Sequence, residues 1–234
     1  MIETVSAIHR VLARGSSFPS VVETTAGTLR LMKLSGAGPG RRALATEYIA
    51  LRIARRLGLN VPDALLLQLP HELPWQTGTD EFYEAVQRSA GANLGIALIA
   101  DATDLDAADL SGLPAEFASR LASVDALLQN FDRTEANPNL IRDATGAVWA
   151  IDFGACLMVD RLARGVLAPA AGLPPNHFLA RRGPGADISA LAAGLDGGFL
   201  ERLVAELPQP WLEELRLSQA TLAERLSRYF EALR

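Results

Sequence analysis

Lysine is almost missing from this chain. Of its 22 Lys and Arg residues one, Lys33, is a lysine. A cation used once in 234 residues must be judged by where it stands, because surface solvation is left to arginine. Cysteine is as sparse: the single Cys156 excludes an internal disulfide and fits a reducing compartment. The three histidines, His9, His71 and His177, are scattered and offer no zinc spacing. No apolar run approaches the roughly 20 residues that a bilayer span needs. The first dozen residues are interrupted by polar side chains and lack a signal-peptide core. A formal net charge of −5 argues against a nucleic-acid-binding face as the main working surface. The expectation is therefore a cytoplasmic protein with neither nucleic acid nor membrane as partner.

With 49% hydrophobic residues, the chain can bury a sizeable core, as one large domain or two smaller units sharing a cleft. Residues Glu3 to Ala13 read as a short helix or a strand lead-in. Val21–Glu23 and Thr28–Leu34, separated by Ala26-Gly27, predict a hairpin. A glycine-rich loop, Ser35 to Gly40, leads into a helix from about Arg42 to Leu57, with Gly58 as its stop. Ala64–Leu69 and Leu94–Ala100 predict strands, and Glu81–Ser89 a short helix. Beyond the acidic loop Asp101–Asp109, a helix from about Pro114 to Gln129 precedes two short strands, Asn139–Arg142 and Val148–Ile151. Gly165–Gly185 reads as a long loop. The remainder reads as helices: Ile188–Ala193, Gly198–Glu206, Trp211–Leu215 and Ser218–Leu233. Strands crowd the first half and helices the second, so an α+β protein is expected. It divides near residue 100 into a β-rich unit (1–100) with one long helix and a mostly helical unit (101–234).

The candidate chemistry sits in Asn130-Phe131-Asp132-Arg133-Thr134-Glu135-Ala136-Asn137 and, after the second hairpin, Ile151-Asp152-Phe153-Gly154. An isolated Asp and Asn five residues apart are more often a polar turn whose side chains bond the backbone. Asp152 changes that balance, because a carboxylate ending an apolar strand requires a cation. A carboxylate to orient a hydroxyl, with an amide oxygen and a second carboxylate to hold magnesium, are parts that phosphoryl transfer uses. Lys33 shares a strand face with Leu29 and Leu31. Glu47 lies three residues after Leu44 and four before Leu51, on the core stripe of its helix, and so needs a cation. Lys33 is the obvious partner. Gly15-Ser16-Ser17 is short enough to aim backbone N–H groups at phosphates, although an ordinary turn serves equally. Gly36-Ala37-Gly38-Pro39-Gly40 imitates a dinucleotide fingerprint, but its spacing is wrong and Pro39 removes a donor.

In order and combination these segments resemble the HipA-like branch of the protein-kinase-like fold, from about Gly15 to Leu157. The resemblance implies a two-lobed fold, ATP and Mg2+ as cofactors, and transfer of the γ-phosphate to an unidentified protein or small-molecule hydroxyl, with a Ser/Thr-type kinase as the expected class. It assigns Asp132 as the catalytic aspartate, Asn137 and Asp152 as metal ligands, and Lys33, fixed by Glu47, as the phosphate contact. Gly15, Ser16 and Ser17 would cover the phosphates, and adenine would lie near Ile99 to Asp101. Thr134 stands where related loops often carry histidine. A nucleotide-binding pseudokinase acting as a regulatory or scaffold module is the alternative on these residues. A chain that only binds a protein partner is the third.

Overall fold

The structure, a computed structural model, describes residues 2–12, 17–73, 78–168, 172–180 and 188–234. The chain opens on a strand, β1 (Ile2–Val11), rather than a helix, with Val5 and Ile8 turned inward. Two irregularities, between Val5 and Ala7 and between Ile8 and Arg10, bend it against its neighbour. The expected hairpin forms as β2 (Ser20–Thr24) and β3 (Leu29–Lys33), with Gly27 at φ +73° in the turn. Next come α1 (Gly40–Arg56), β4 (Ala64–Leu69), α2 (Asp80–Arg88) and β5 (Gly91–Ala97). The five strands close a barrel in the order β1-β2-β3-β5-β4. Its seam is a parallel contact of Ile2–Thr4 with Leu66–Gln68.

Strand alternation on β3 positions the cleft. Met32 points into the barrel, where it packs with Val5, Val22, Leu67 and Phe82, while Leu31 and Lys33 face the other way into the cleft. α1 is capped at Leu57, with Gly58 left-handed at φ +76° and the Leu59 N–H bonded back to Ala54, the C-terminal cap that glycine favours. β5 starts earlier and stops earlier than expected. Gly91 and Asn93 have little intrinsic strand preference, but the whole of β4 pairs with this stretch. The buried Asn93 amide holds it by accepting from Ser35 N–H at 2.7 Å and donating to the Ser89 carbonyl at 2.8 Å.

The second half adds β6 (Thr103–Asp104), a 3-10 turn at Asp109–Gly112, and α3 (Ala115–Leu128). The hairpin β7 (Leu140–Arg142) and β8 (Val148–Ala150) follows, and then α4 (Leu157–Ala163). The chain closes with α5 (Ile188–Ala193), α6 (Gly197–Ala205), α7 (Gln209–Leu215) and α8 (Gln219–Glu231). β6 and α4 are not visible in the sequence pattern. β6 is two residues long and exists through its pairing with Ile141–Arg142. α4 is a short apolar run whose Met158, Val159 and Leu162 are buried.

The protein is therefore mixed α+β. A second core runs through α1, α3 and the helices of the second half. Tyr48 and Arg52 on α1 both bond Glu206, and Tyr48 meets the Trp211 ring edge-on, so α1 is anchored to both the α6–α7 region and the barrel. Among the described residues no helix is long and apolar enough to cross a membrane.

Candidate active site

A cleft of about 1110 Å³ opens between β3, β5 and α1 on one side and the 135–141 and 151–152 segments on the other. At its inner end Lys33 Nζ donates to both Glu47 carboxylate oxygens at 2.7 Å and to Asp152 Oδ1 at 3.1 Å. Lys33 and Glu47 are buried, whereas the Asp152 side chain is half-exposed. Burial disfavours the Lys33 ammonium, but the two carboxylates outweigh it and hold its pKa above the ordinary value. Burial, reinforced by Asp152, pushes the Glu47 carboxyl up to about 7 against the pull of Lys33. With its pKa raised, the Lys33 ammonium stays charged at neutral pH.

The reactive-looking loop begins where α3 ends. Gln129 caps the helix in a left-handed turn at φ +58°, and Asn130 forms an isolated bridge with Cys156. Asp132 Oδ2 then accepts from Asn137 Nδ2 at 3.0 Å and from Asn139 Nδ2 at 3.4 Å. Asp132 does not line the cleft itself but is tied to two residues that do. Thr134 serves the turn: its N–H and carbonyl exchange bonds with those of Asn137, and its hydroxyl also accepts from Asn137 N–H at 3.2 Å. The β7–β8 hairpin brings the remaining parts together. Asn139 enters it at φ +50° and Asp152 leaves it at φ +56°, with Ile151 N–H bonded to the Asn139 carbonyl between them. Both left-handed residues thus stand at the open end of one hairpin, side by side in the cleft wall.

Arg133 holds this end of the hairpin from beneath. It is fully buried. Its Nε meets Asp125 Oδ2 at 2.6 Å, and Nη1 donates to the Pro138 and Asn139 carbonyls at 2.9 and 2.7 Å. A longer bond runs from Nη2 to the Ile151 carbonyl at 3.4 Å. The guanidinium also lies 4.9 Å from the Phe153 ring centre. Burial disfavours the Asp125 carboxylate, but Arg133 and His177 together hold its pKa below the ordinary value.

Of the residues singled out in the sequence, Lys33, Glu47, Asn137, Asp152, Ser17 and Ile99 line the cleft. Gly15 and Ser16 lie outside the described residues. Asp101 does not join the site: the chain turns left-handed there, at φ +51°, and the side chain is exposed and away from the cleft lining. Sequence reasoning missed Asn139 and the Asp125–Arg133–His177 cluster. Asp125 carries the same signal as Glu47, an acid on an apolar helix stripe four residues from Leu121 and three from Leu128. Nothing local in the sequence points to His177.

The donor set suits a small hard cation. Asn137 spends its amide nitrogen on Asp132, and Asp152 spends one oxygen on Lys33. Among the described residues Asn137 Oδ1 and Asp152 Oδ2 carry no hydrogen bond. No group of three or more His, Cys, Asp or Glu able to hold a metal occurs among the described residues, so two protein oxygens would leave most coordination positions to phosphate and water.

The profile of the HipA-like kinase family matches residues 5–166. Among solved structures, the chain is similar to a Helicobacter pylori proinflammatory kinase, CtkA. The TM-score is 0.61 and the identity 14%, over 100% of this chain and 96% of that one. A weaker likeness, TM-score 0.48 at 11% identity, covers 99% of this chain and 71% of the Golgi casein kinase. No curated protein matches.

Proposed function

The chain belongs to the HipA-like kinase family, and we propose that it transfers the γ-phosphoryl group of ATP to a hydroxyl in a magnesium-dependent reaction. We read residues 1–100 as the nucleotide lobe and 101–234 as the lobe carrying the reactive loop. The observation that carries this is the convergence at Lys33. An ammonium anchored by the buried Glu47 reaches Asp152, in a cleft that also holds Asn137 with an uncommitted amide oxygen.

On this reading Lys33 presents a fixed positive charge to the nucleotide phosphates. Asp152 and Asn137 hold the metal, which when bound supplies charge neutralisation on the phosphates. Leu31, Ile96, Ile99 and Ile151 give the cleft an apolar wall for the base. Asp132, oriented by the amides of Asn137 and Asn139, faces the acceptor. As the acceptor oxygen bonds to the γ-phosphorus and the bond to the β–γ bridging oxygen breaks, Asp132 Oδ1 takes the hydroxyl proton and ADP departs.

Calorimetry of ATP with magnesium tests the binding half. Wild type should bind, and Lys33→Ala should bind about 10- to 100-fold more weakly, the equivalent of a charged hydrogen bond of roughly 1.5–3 kcal/mol. Absence of binding by wild type, or binding by Lys33→Ala and Asp152→Ala that is unchanged from wild type, overturns the proposal. Phosphate release lost in Asp132→Ala, by about 10²-fold or more, separates an active kinase from a nucleotide-binding scaffold.

A further inference from the structure

The loop carrying Asp132 has little regular structure of its own. Between the bridge at Asn130 and the start of β7, residues 131–139 form neither helix nor ladder. Part of what holds them comes from far along the chain. In the segment 172–180, three successive residues each fasten a different point of the 125–133 region. Asn176 Nδ2 donates to the Phe131 carbonyl at 3.0 Å. His177 Nε2 lies 3.0 Å from Asp125 Oδ2. Phe178 N–H donates to the Arg133 carbonyl at 3.3 Å.

We propose that Asn176, His177 and Phe178 act as a strap that positions Asp132. Rather than touching its carboxylate, they bind the carbonyls of the residues before and after it, and the acid that holds Arg133. This rests on the phosphotransfer reading for its functional consequence, whereas the three contacts stand independently of it. The carbonyls of Phe131 and Arg133 bracket Asp132, so fixing both restricts the backbone torsions that aim its side chain.

His177 is the anchor. Its side chain is fully buried, and its Nδ1 accepts from Leu179 N–H at 3.1 Å. That bond places the ring proton on Nε2, so the imidazole donates to Asp125 with both nitrogens satisfied. Asp125 in turn holds Arg133 and, through Oδ1, the Asn130 amide at 3.1 Å. Asn130 Oδ1 accepts from Asp132 N–H at 3.3 Å. The strap therefore reaches Asp132 by two routes: directly through neighbouring carbonyls, and through Asp125 and Asn130. A displacement of about 1 Å in a reacting group can lower turnover by about 10²-fold, so a positioning device of this kind acts on kcat.

The test uses the whole chain and three variants, His177→Ala, His177→Gln and Asn176→Ala. Amide hydrogen exchange over 131–139, ATP turnover with magnesium, and ATP affinity by calorimetry are measured for each. In His177→Ala, exchange over 131–139 should rise and kcat fall, each by about tenfold or more, while ATP affinity stays within about twofold. His177→Gln keeps a donor for Asp125 and should recover part of both. Asn176→Ala, on an exposed side chain, should show the same pattern at smaller amplitude, and it decides the matter if His177→Ala does not fold. Unchanged exchange over 131–139 in the folded alanine variants overturns the strap. So does a loss that falls on ATP affinity with kcat preserved. A wild type that turns over no ATP would refute the phosphotransfer reading, and the exchange measurement would still decide the strap.

Discussion

Removing Arg133 should come close to unfolding the protein, although this residue sits beside the cleft and not in it. Its guanidinium is fully buried and serves four acceptors: Asp125 at 2.6 Å, the Pro138 and Asn139 carbonyls at 2.9 and 2.7 Å, and the Ile151 carbonyl at 3.4 Å. Truncation to alanine would leave the Asp125 carboxylate buried with only His177 and Asn130 for company. Breaking one side of a buried ion pair costs about 3–5 kcal/mol, and each stranded carbonyl about 1–3 kcal/mol. The two losses overlap, because water entering the void serves both, so a total near 5 kcal/mol is expected. Against a domain stability of about 5–15 kcal/mol, that is most of the margin. Arg133→Lys keeps the charge, but its ammonium cannot span Asp125 and the Pro138–Asn139 carbonyls together, so about half the loss should remain.

Urea unfolding followed by circular dichroism measures both variants. A double variant, Asp125→Asn with Arg133→Met, checks the physical cause. With no charge left to bury, it should be more stable than the sum of the two single losses predicts by about 1–3 kcal/mol. Arg133→Met within about 1 kcal/mol of wild type, or strict additivity in the double variant, would refute the account of Arg133 as a charged clamp.

Two further outcomes follow from buried groups. The Asp125 pKa is depressed in the fold from an ordinary value of 3.8, so the native state binds fewer protons than the unfolded chain. Its contribution is present above that value and lost as pH falls through the lower, folded one. Asp125→Asn should be less stable at neutral pH yet lose stability more gradually below about pH 4, and parallel acid curves in denaturant titrations would contradict this. The Cys156 thiol is buried and its pKa is pushed well above 9.0 by burial. It should react with a thiol reagent about 10²-fold or more slowly in the native protein than in urea, since local opening in a core takes several kcal/mol. Native and unfolded rates within about tenfold of each other would show that the α4 region opens freely.

Much of this was legible in the sequence wherever a periodic pattern met a chemical anomaly. Lys33 and Glu47 stood out because each broke an apolar stripe, and the structure joins them at 2.7 Å. The β2–β3 hairpin, α1, α3 and β4 were readable from alternation, helical spacing and turn glycines. What stayed hidden was of two kinds. β5 and β6 owe their extents to pairing partners rather than to their own residues. In the Asp125–Arg133–His177 cluster, Asp125 and His177 lie 52 positions apart in sequence, and a histidine in a Gly- and Pro-rich stretch gives no periodicity that would mark it as buried. Asp101 stands outside the cleft lining for a local reason: the chain turns left-handed there, after β5, and leaves it exposed.

Asp152 is where the hold of Arg133 on the hairpin meets the pull of Lys33. At φ +56° it occupies the left-handed region, which costs a non-glycine residue about 1–2 kcal/mol. Aspartate tolerates that region better than most residues, but tolerance alone does not select it. On one side of Asp152, Ile151 is held through its N–H by Asn139 and through its carbonyl by Arg133. On the other, Phe153 is buried beneath the Arg133 guanidinium. The side chain itself is drawn toward Lys33. A residue fixed at both neighbours and at its tip has no relaxed alternative that keeps all three contacts, so the strain persists because the surroundings over-determine it. The same constraints hold Asp152 in the cleft wall that Asn137 also lines. Loosening Arg133 should therefore disturb the Lys33–Asp152 contact although the two cations never touch the same atom.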